Sequence, residues 1–447
     1  MFQKNEGAIN RLETMRPIRA EMEEIYRRSV EAVKAGEPTA WVMVNFWLAD
    51  AILNAMDVET VYPESYGAAC AAMGAAKAYL DRSDQEGFPT HLCGYARNCI
   101  GYTARMIEDL KGQIPPEAPM GGMPKPAVLV NRGLSCDAGF KWFQALGRYL
   151  DAPVWTLEMP IPGIEESLSE GVYDRNVDFM VKELREFIKF LEHVLAKKVD
   201  WDKLDETVHD LEEIGRVWHE SNELRKAIPC PMHSRDFWSC MNGVTNPTGD
   251  LKKKLGLYRD LYDEVEDRVE NKIGSVVKEK YRVGFAELPP WHSLSLFDTL
   301  AERGWNFVIE SRGYHPPIPV DLTGVSDPLE RLARIFYGGL TTSRFQAALQ
   351  AGEHMGLLGY PNLEYATAYK VDGFLLHPLL TCRATSAHLW YVRDRLMKKW
   401  KVPSLLIEGD IVDMKLFDLA DALKKAEAFE EIMDHYKEVR KEEERKR

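Results

Sequence analysis

Positive charge is in short supply along this 447-residue chain: 57 Lys and Arg stand against 70 Asp and Glu, a formal net charge of −13 with His neutral. That balance argues against nucleic acid or an anionic membrane surface as the partner, while leaving room for a local basic pocket. Long apolar runs are missing too. None approaches the ~18 residues a membrane span requires, and Met1 to Arg19 is charged, without the apolar core of a secretory signal. Cysteine is sparse: seven, an odd number at wide spacings, which is no secreted disulfide framework. A reducing cytoplasm is the expected compartment, where cysteines serve metals, chemistry or the core. The nucleotide and hydrolase signatures are absent as well: no Walker A loop, no GxGxxG after a strand, no HExxH and no GxSxG. An apolar fraction of 45% with 28% charged residues is ordinary globular composition, and the length predicts two or three domains.

The organising stretch is Lys370 to Asp413. Val371 to Leu376 reads as a strand buried on both faces. Cys382 follows it, and Leu389, Val392, Leu396 and Trp400 then recur near a 3.6-residue period. Pro403 stops that helix, Leu405 to Ile407 reads as another buried strand, and Gly409-Asp410 ends it. The same unit occurs earlier. Ala127 to Asn131 is a strand, Cys136 follows, a helix starts near Ala138, and Pro153 precedes the run VWTLEMP. Strand, cysteine, helix, proline, strand in the same order twice predicts an internal duplication. A cysteine past the carboxyl end of a parallel strand lies where open α/β sheets bind their ligands. The amino terminus of the next helix favours its thiolate.

The predicted class is α/β: two similar open parallel-sheet, flavodoxin-like domains, a helical insert and a helical N-terminal arm. The arm covers 1–37, the first α/β domain 38–165, the insert 166–280, the second α/β domain 281–412 and a C-terminal helix 413–447. In the first domain Ala40 to Phe46 is a strand and Leu48 to Met56 a helix. Tyr62 to Ser65 closes a loop, Ala68 to Leu80 is helical, and Phe88 to Cys93 is a short strand-like run before a helix from Asn98 to Leu110. In the insert, Phe179, Val181, Leu184, Phe187 and Leu191 mark one helix face, and Asp200 reads as an N-cap.

Cys93, Cys136 and Cys382 each precede a helix and could meet in one crevice between the halves. Three thiolates at one point hold an iron–sulfur cluster or zinc, and a count of three leaves one metal position open. Buried cysteines are also common in cores, so packing is the competing reading. Cys70, in an Ala-rich helix, belongs to the core. Cys230 with His233 resembles a metal pair but has only Cys240 nearby. Glu64 and Ser65 follow Pro63 beside the expected crevice, and Thr385 and Ser386 open the helix after Cys382. Glu64 and Ser386 are therefore the candidate catalytic residues, against simpler roles in a turn or a cap. His292 and His315 sit in Pro-rich loops and are further acid–base candidates.

Three blocks, CGYARNCIG with Cys93, SCDAGFKWFQAL with Cys136 and VDGFLLHPLLTC…KVPSLLIEGDIVD with Cys382, resemble the benzoyl-CoA reductase and 2-hydroxyacyl-CoA dehydratase family over nearly the whole chain, Ala40 to Phe429. The resemblance implies a cluster-bearing catalytic subunit that pairs with a homologous second subunit. It implies a 4Fe–4S cluster on Cys93, Cys136 and Cys382 with its fourth iron open, and an acyl-CoA substrate. ATP enters only through a separate iron–sulfur activator that injects a low-potential electron. Dehydratases of the family eliminate water from a 2-hydroxyacyl-CoA through a ketyl radical; benzoyl-CoA reductases reduce the aromatic ring to a cyclic diene. The loop YPESYGA around Glu64 and the stretch KYRVGFAELPPW resemble the larger reductase subunit, and WLADAIL stands where dehydratases often carry a Pro-x-Glu element. Reduction of benzoyl-CoA is thus the expected reaction, with dehydration of a 2-hydroxyacyl-CoA, or a non-catalytic subunit that only relays electrons, as alternatives.

Overall fold

The computed structural model describes residues 7–133, 136–161, 163, 165–311, 320–339, 343–353 and 360–446. Among them, two four-stranded parallel sheets organise the chain. The first contains β1 (Thr39–Val42), β2 (Glu59–Val61), β3 (Val128–Arg132) and β4 (Val154–Leu157), in the order β2-β1-β3-β4. The second contains β5 (Tyr281–Ala286), β6 (Trp305–Glu310), β7 (Gly373–Leu376) and β8 (Ser404–Leu406), in the order β6-β5-β7-β8. Every pairing is parallel, with Ala40 opposite Val128 in one sheet and Val283 opposite Gly373 in the other. The repeated order is the duplication that the strand–cysteine–helix units predict.

β1, β5, β6 and β7 are buried along their whole length. Parallel sheets need helices on both faces, so their strands read as continuous apolar runs rather than alternating ones. The helical segment between the sheets supplies part of that cover. It comprises Val172–Leu195, Trp201–Leu224, Ser234–Cys240, Asn242–Thr245 and Leu251–Glu270. The carboxylates of Asp200 and Asp250 cap the second and the last of these, accepting from the N–H groups of Lys203 (3.0 Å) and Lys253 (2.9 Å). Trp155 on β4 meets Phe187 and Phe190 of the first helix. The stripe buried on that helix is Val177, Met180, Leu184, Phe187, Ile188, Leu191 and Leu195. Phe179, expected on the inner face, lies one position off the 3.6-residue stripe and is 43% exposed.

Three local expectations change. Phe88 to Cys93 is a turn, not a strand: Pro89 cannot donate to a ladder, and its carbonyl accepts the Leu92 N–H at 2.9 Å. Pro63 starts a helix, Pro63–Ala72, with its ring at the first helical position, so Glu64 and Ser65 stand in a helical turn rather than in a loop. The Ala-rich run is two helices, Pro63–Ala72 and Ala76–Gln85, separated at Gly74, whose φ is +76°. His315 and Pro316 to Pro319 lie outside the described residues.

Candidate functional site between the halves

In both sheets the strand order reverses direction between the first and third strands, β1/β3 and β5/β7, and the crevice for a ligand lies beyond their carboxyl ends. Each of the three singled-out cysteines is the residue immediately before a helix. Cys93 precedes Gly94–Ala104, Cys136 precedes Asp137–Leu150 and Cys382 precedes Arg383–Ser386. All three are partly exposed, whereas Cys70, Cys99, Cys230 and Cys240 are buried. The Gly139 N–H donates to Cys136 Sγ at 3.2 Å. The first two helices are long enough to direct a macrodipole at sulfur; the third is a single turn, separate from the helix Leu389–Trp400.

Burial pushes the Cys93 thiol well above the usual thiol range. The neighbouring Cys382, Asp410 and Cys136 add to that rise, and a backbone N–H at Ala96 opposes it. Cys93 is therefore an electrostatic neighbour of both other cysteines, although hundreds of positions separate it from Cys382 in the chain. Among the described residues, no three His, Cys, Asp or Glu side chains close around a point as they would for a single bound ion. A cubane cluster several ångströms across spaces its ligands more widely than one ion does. The donor set suits it: thiols from three separate chain segments, whose mutual repulsion as thiolates a cationic iron core would remove.

Asp410, just past β8, holds this seam together. Its Oδ1 accepts from the N–H groups of Val412 (2.8 Å) and Asp413 (2.7 Å), and its Oδ2 accepts from the hydroxyl of Thr381, next to Cys382. On its other side it lies against Gly94, next to Cys93: a Cβ there would collide with the carboxylate and stand 3.0 Å from Val412 Cβ. Nearby, Trp291 Nε1 donates to the Tyr95 hydroxyl at 2.5 Å. His292 Nε2 donates to the Asp410 carbonyl at 3.0 Å, and burial lowers the pKa of this imidazole. In the sequence Asp410 reads only as a strand end; the glycine directly after Cys93 is the one signal there for the close approach.

The remaining candidates separate clearly. Glu64 accepts the Val44 N–H at 3.1 Å, which places its carboxylate just past the carboxyl end of β1. It lines a cavity of about 1650 Å³ together with Ser65, Tyr95, Trp291 and His292. The Ser65 hydroxyl accepts from Asn246 Nδ2 at 2.9 Å. Ser386 Oγ donates to the carbonyls of Leu379 (2.8 Å) and Cys382 (3.0 Å), so its hydroxyl fastens the turn that carries the cysteine. Thr385 Oγ1 does the same to Cys382 at 3.1 Å. Arg97 is enclosed rather than solvated: it pairs with Asp413 at 2.9 Å and Asp84 at 2.6 Å. Arg132 donates to the Asn45 carbonyl at 2.9 Å, and Arg383 is exposed. Cys230 and His233 are structural. Cys230 Sγ donates to the Met232 carbonyl at 3.3 Å, and His233 Nδ1 caps a helix by accepting from the Arg235 N–H at 3.0 Å.

Comparison with known proteins finds this chain similar to subunits of acyl-CoA enzymes. Residues 48–433, which include all three partly exposed cysteines, match the family described as 2-hydroxyglutaryl-CoA dehydratase, D-component. The (R)-phenyllactyl-CoA dehydratase alpha subunit of Clostridium sporogenes is 25% identical over 418 residues, covering 92% of this chain and 93% of that protein. The (R)-2-hydroxyisocaproyl-CoA dehydratase alpha subunit of Clostridioides difficile is 24% identical, covering 93% and 95%. A benzoyl-CoA reductase subunit of Thauera aromatica is 25% identical, covering 79% of each chain. Among the described residues no helix is long and apolar enough to cross a membrane.

Proposed function

The chain belongs to the 2-hydroxyglutaryl-CoA dehydratase D-component family, and from that premise we propose that it is the cluster-bearing subunit of a 2-hydroxyacyl-CoA dehydratase. The observation that carries this reading is the set of three half-buried thiols on three helix starts, with Cys93 in electrostatic reach of the other two. Cys93, Cys136 and Cys382 would hold a 4Fe–4S cluster, which supplies one-electron chemistry and an open iron position. The companion is a homologous second subunit, in keeping with relatives named as alpha subunits. The low-potential electron comes from a separate ATP-hydrolysing activator.

The chain's own residues do the rest. Asp410, Thr381 and Ser386 fix the Cys382 turn. Glu64 presents a carboxylate to the cavity, where it can hold or move a proton of the bound acyl group. Tyr95 and Trp291, hydrogen-bonded to each other across the seam, form part of that cavity's wall.

Reduction of benzoyl-CoA, the expectation from the loop around Glu64, is the second reading, supported by the likeness to the Thauera aromatica benzoyl-CoA reductase chain. Dehydration takes precedence because the dehydratase subunits align with this chain over a larger share of both partners. The test is turnover of a 2-hydroxyacyl-CoA against benzoyl-CoA by the protein with its companion subunit and activator. Water elimination supports the first reading, and diene formation replaces it with the second. Electron paramagnetic resonance of the reduced protein checks the alternative of a relay subunit. A signal that changes on adding acyl-CoA supports catalysis at this cluster, and one that ignores it supports the relay.

A further inference from the structure

The carboxylate of Asp410 is fully buried between two of the cysteine-bearing turns. The turn of Cys382 reaches it through the Thr381 hydroxyl, which donates to Oδ2, and through the Leu380 N–H, which donates to the carbonyl of Gly409 just before it at 2.9 Å. The turn of Cys93 reaches it at Gly94, where no side chain keeps the carboxylate away. Cys93 lies within its electrostatic field. Both carboxylate oxygens act as acceptors, Oδ1 from the N–H groups of Val412 and Asp413 and Oδ2 from Thr381, as an ionised acid does. Among the described residues no Lys or Arg pairs with it. Arg97, one turn past Cys93, is already shared between Asp413 at 2.9 Å and Asp84 at 2.6 Å. His292 donates to the Asp410 carbonyl, not to its carboxylate, and burial lowers the pKa of that ring, so it carries no charge near pH 7. Arg383, beside Cys382, is exposed, where water screens its charge. The buried part of the seam therefore sets Asp410 and Asp413 against Arg97, an excess of one negative charge.

We infer that Asp410 sets the redox potential of the proposed cluster: its fixed negative charge, buried between the turns of Cys93 and Cys382, makes an added electron harder to accept and easier to pass on. Charge in a low-dielectric seam acts over a longer range than charge in water. Net charge around an iron–sulfur centre is one of the quantities that fix its potential. The same hydrogen bonds that hold the carboxylate also hold the turn of Cys382, so one residue both places a thiol and biases the electron it would serve. Asp410 acts through the cysteines, and it is a positioning residue rather than a catalytic one.

The inference rests on the cluster reading above, and a redox titration separates the two. The full chain, reconstituted anaerobically with iron and sulfide, is titrated with titanium(III) citrate, which passes one electron to each cluster and becomes titanium(IV). Electron paramagnetic resonance follows the reduced form. Asp410→Asn keeps the shape and still accepts from Val412 and Asp413, while its amide turns to the Thr381 oxygen and the charge is gone. Its midpoint should lie above the parent's by about 60 mV or more, a tenfold change in a one-electron equilibrium. Asp260→Asn, which removes an exposed carboxylate from the helix Leu251–Glu270, should leave the midpoint where it is. An unmoved midpoint in Asp410→Asn at full iron content overturns the inference and leaves Asp410 a fastening alone. An equal rise in Asp260→Asn overturns it too, since total charge would then suffice. If Asp410→Asn sheds its iron, Thr381→Val decides: it keeps the carboxylate but removes the hydroxyl that offsets its charge, so the midpoint should fall, and an unchanged or higher one overturns the inference. A parent that takes up no iron refutes the cluster reading and this inference with it. A loaded parent whose potential ignores Asp410 refutes only the inference.

Discussion

The guanidinium of Arg97 donates to the Asp413 carboxylate at 2.9 Å, with both residues buried and 316 positions apart in the chain. Arg97 lies one helical turn beyond Cys93, and Asp413 three residues beyond Asp410. The pair therefore joins the cysteine-bearing helix of the first half to the segment that ends the second sheet. The halves meet through charge beside Cys93 and Asp410, so the geometry of this seam and the docking of the halves are one property.

Removing Arg97 leaves the Asp413 charge in low dielectric without its cation. Breaking a buried pair from one side costs about 3 kcal/mol or more. Arg97→Ala should destabilise the protein by that amount in urea unfolding and reduce iron retention with it. Arg97→Lys keeps the charge but cannot reach Asp84 and Asp413 together, so it should fall between the two. A variant as stable as the parent would remove this pair from the account of how the halves dock.

Gly94→Ala tests the same seam from the steric side. The added methyl meets the Asp410 carboxylate and Val412 on the facing half. Neither can withdraw, because Asp410 is held by two backbone N–H groups and Thr381. Overpacking of this kind costs roughly 1–3 kcal/mol. The expected outcome is a lower unfolding temperature together with weaker iron binding, measured by thermal denaturation and iron analysis. Gly36→Ala is a poor control, since its φ of +81° strains any side chain, whereas Gly256 has open space around it and should tolerate alanine.

Much of this was legible in the sequence where the signal was local. The runs AVLVN and VDGFLL read as buried strands because parallel strands covered on both faces have no polar side to show, and β3 and β7 lie there. The order of the three cysteines was readable, and so was Asp200 as a cap. Phe88 to Cys93 misled because a proline-containing turn can carry the same apolar spacing as a strand. The contacts of Asp410 with Gly94 and Thr381 were out of reach, since a pairing across hundreds of residues leaves no periodicity in one chain. The pairing of Arg97 was out of reach for the same reason: only the fold brings Asp84 and Asp413 to it.

His377, directly after β7, gives a pH signature. It is buried, and its Nδ1 donates to the Ile407 carbonyl at 2.6 Å, so the neutral ring is the native form. Burial pushes its pKa down to about 4. An unfolded histidine titrates near 6.5. The stability it confers is therefore complete above about pH 6.5 and is lost as the pH falls toward 4, because the unfolded chain takes the proton first. The loss at pH 5 relative to pH 8 should be about 2 kcal/mol. Urea unfolding of the parent and of His377→Gln at both pH values checks this: the parent should lose more stability than the variant by that margin, and equal losses would remove His377 from the balance.

The cysteine variants separate a cluster site from simple packing. Cys93→Ala and Cys382→Ala each remove a half-buried thiol at a helix start, where the packing cost of losing one sulfur is small. If the thiols grip iron, iron content after reconstitution should collapse in either variant while the unfolding midpoint of the iron-free protein hardly moves. Cys70→Ala reverses the pattern. That residue is fully buried in the core beside Tyr66, where burial pushes its thiol up to about 12. Truncating it should cost about 1 kcal/mol of stability and leave the iron content intact. Both signatures are needed, because destabilisation alone can shed iron. Full iron in Cys382→Ala would take that residue out of the ligand set, and with it the convergence of the two duplicated halves on one cluster.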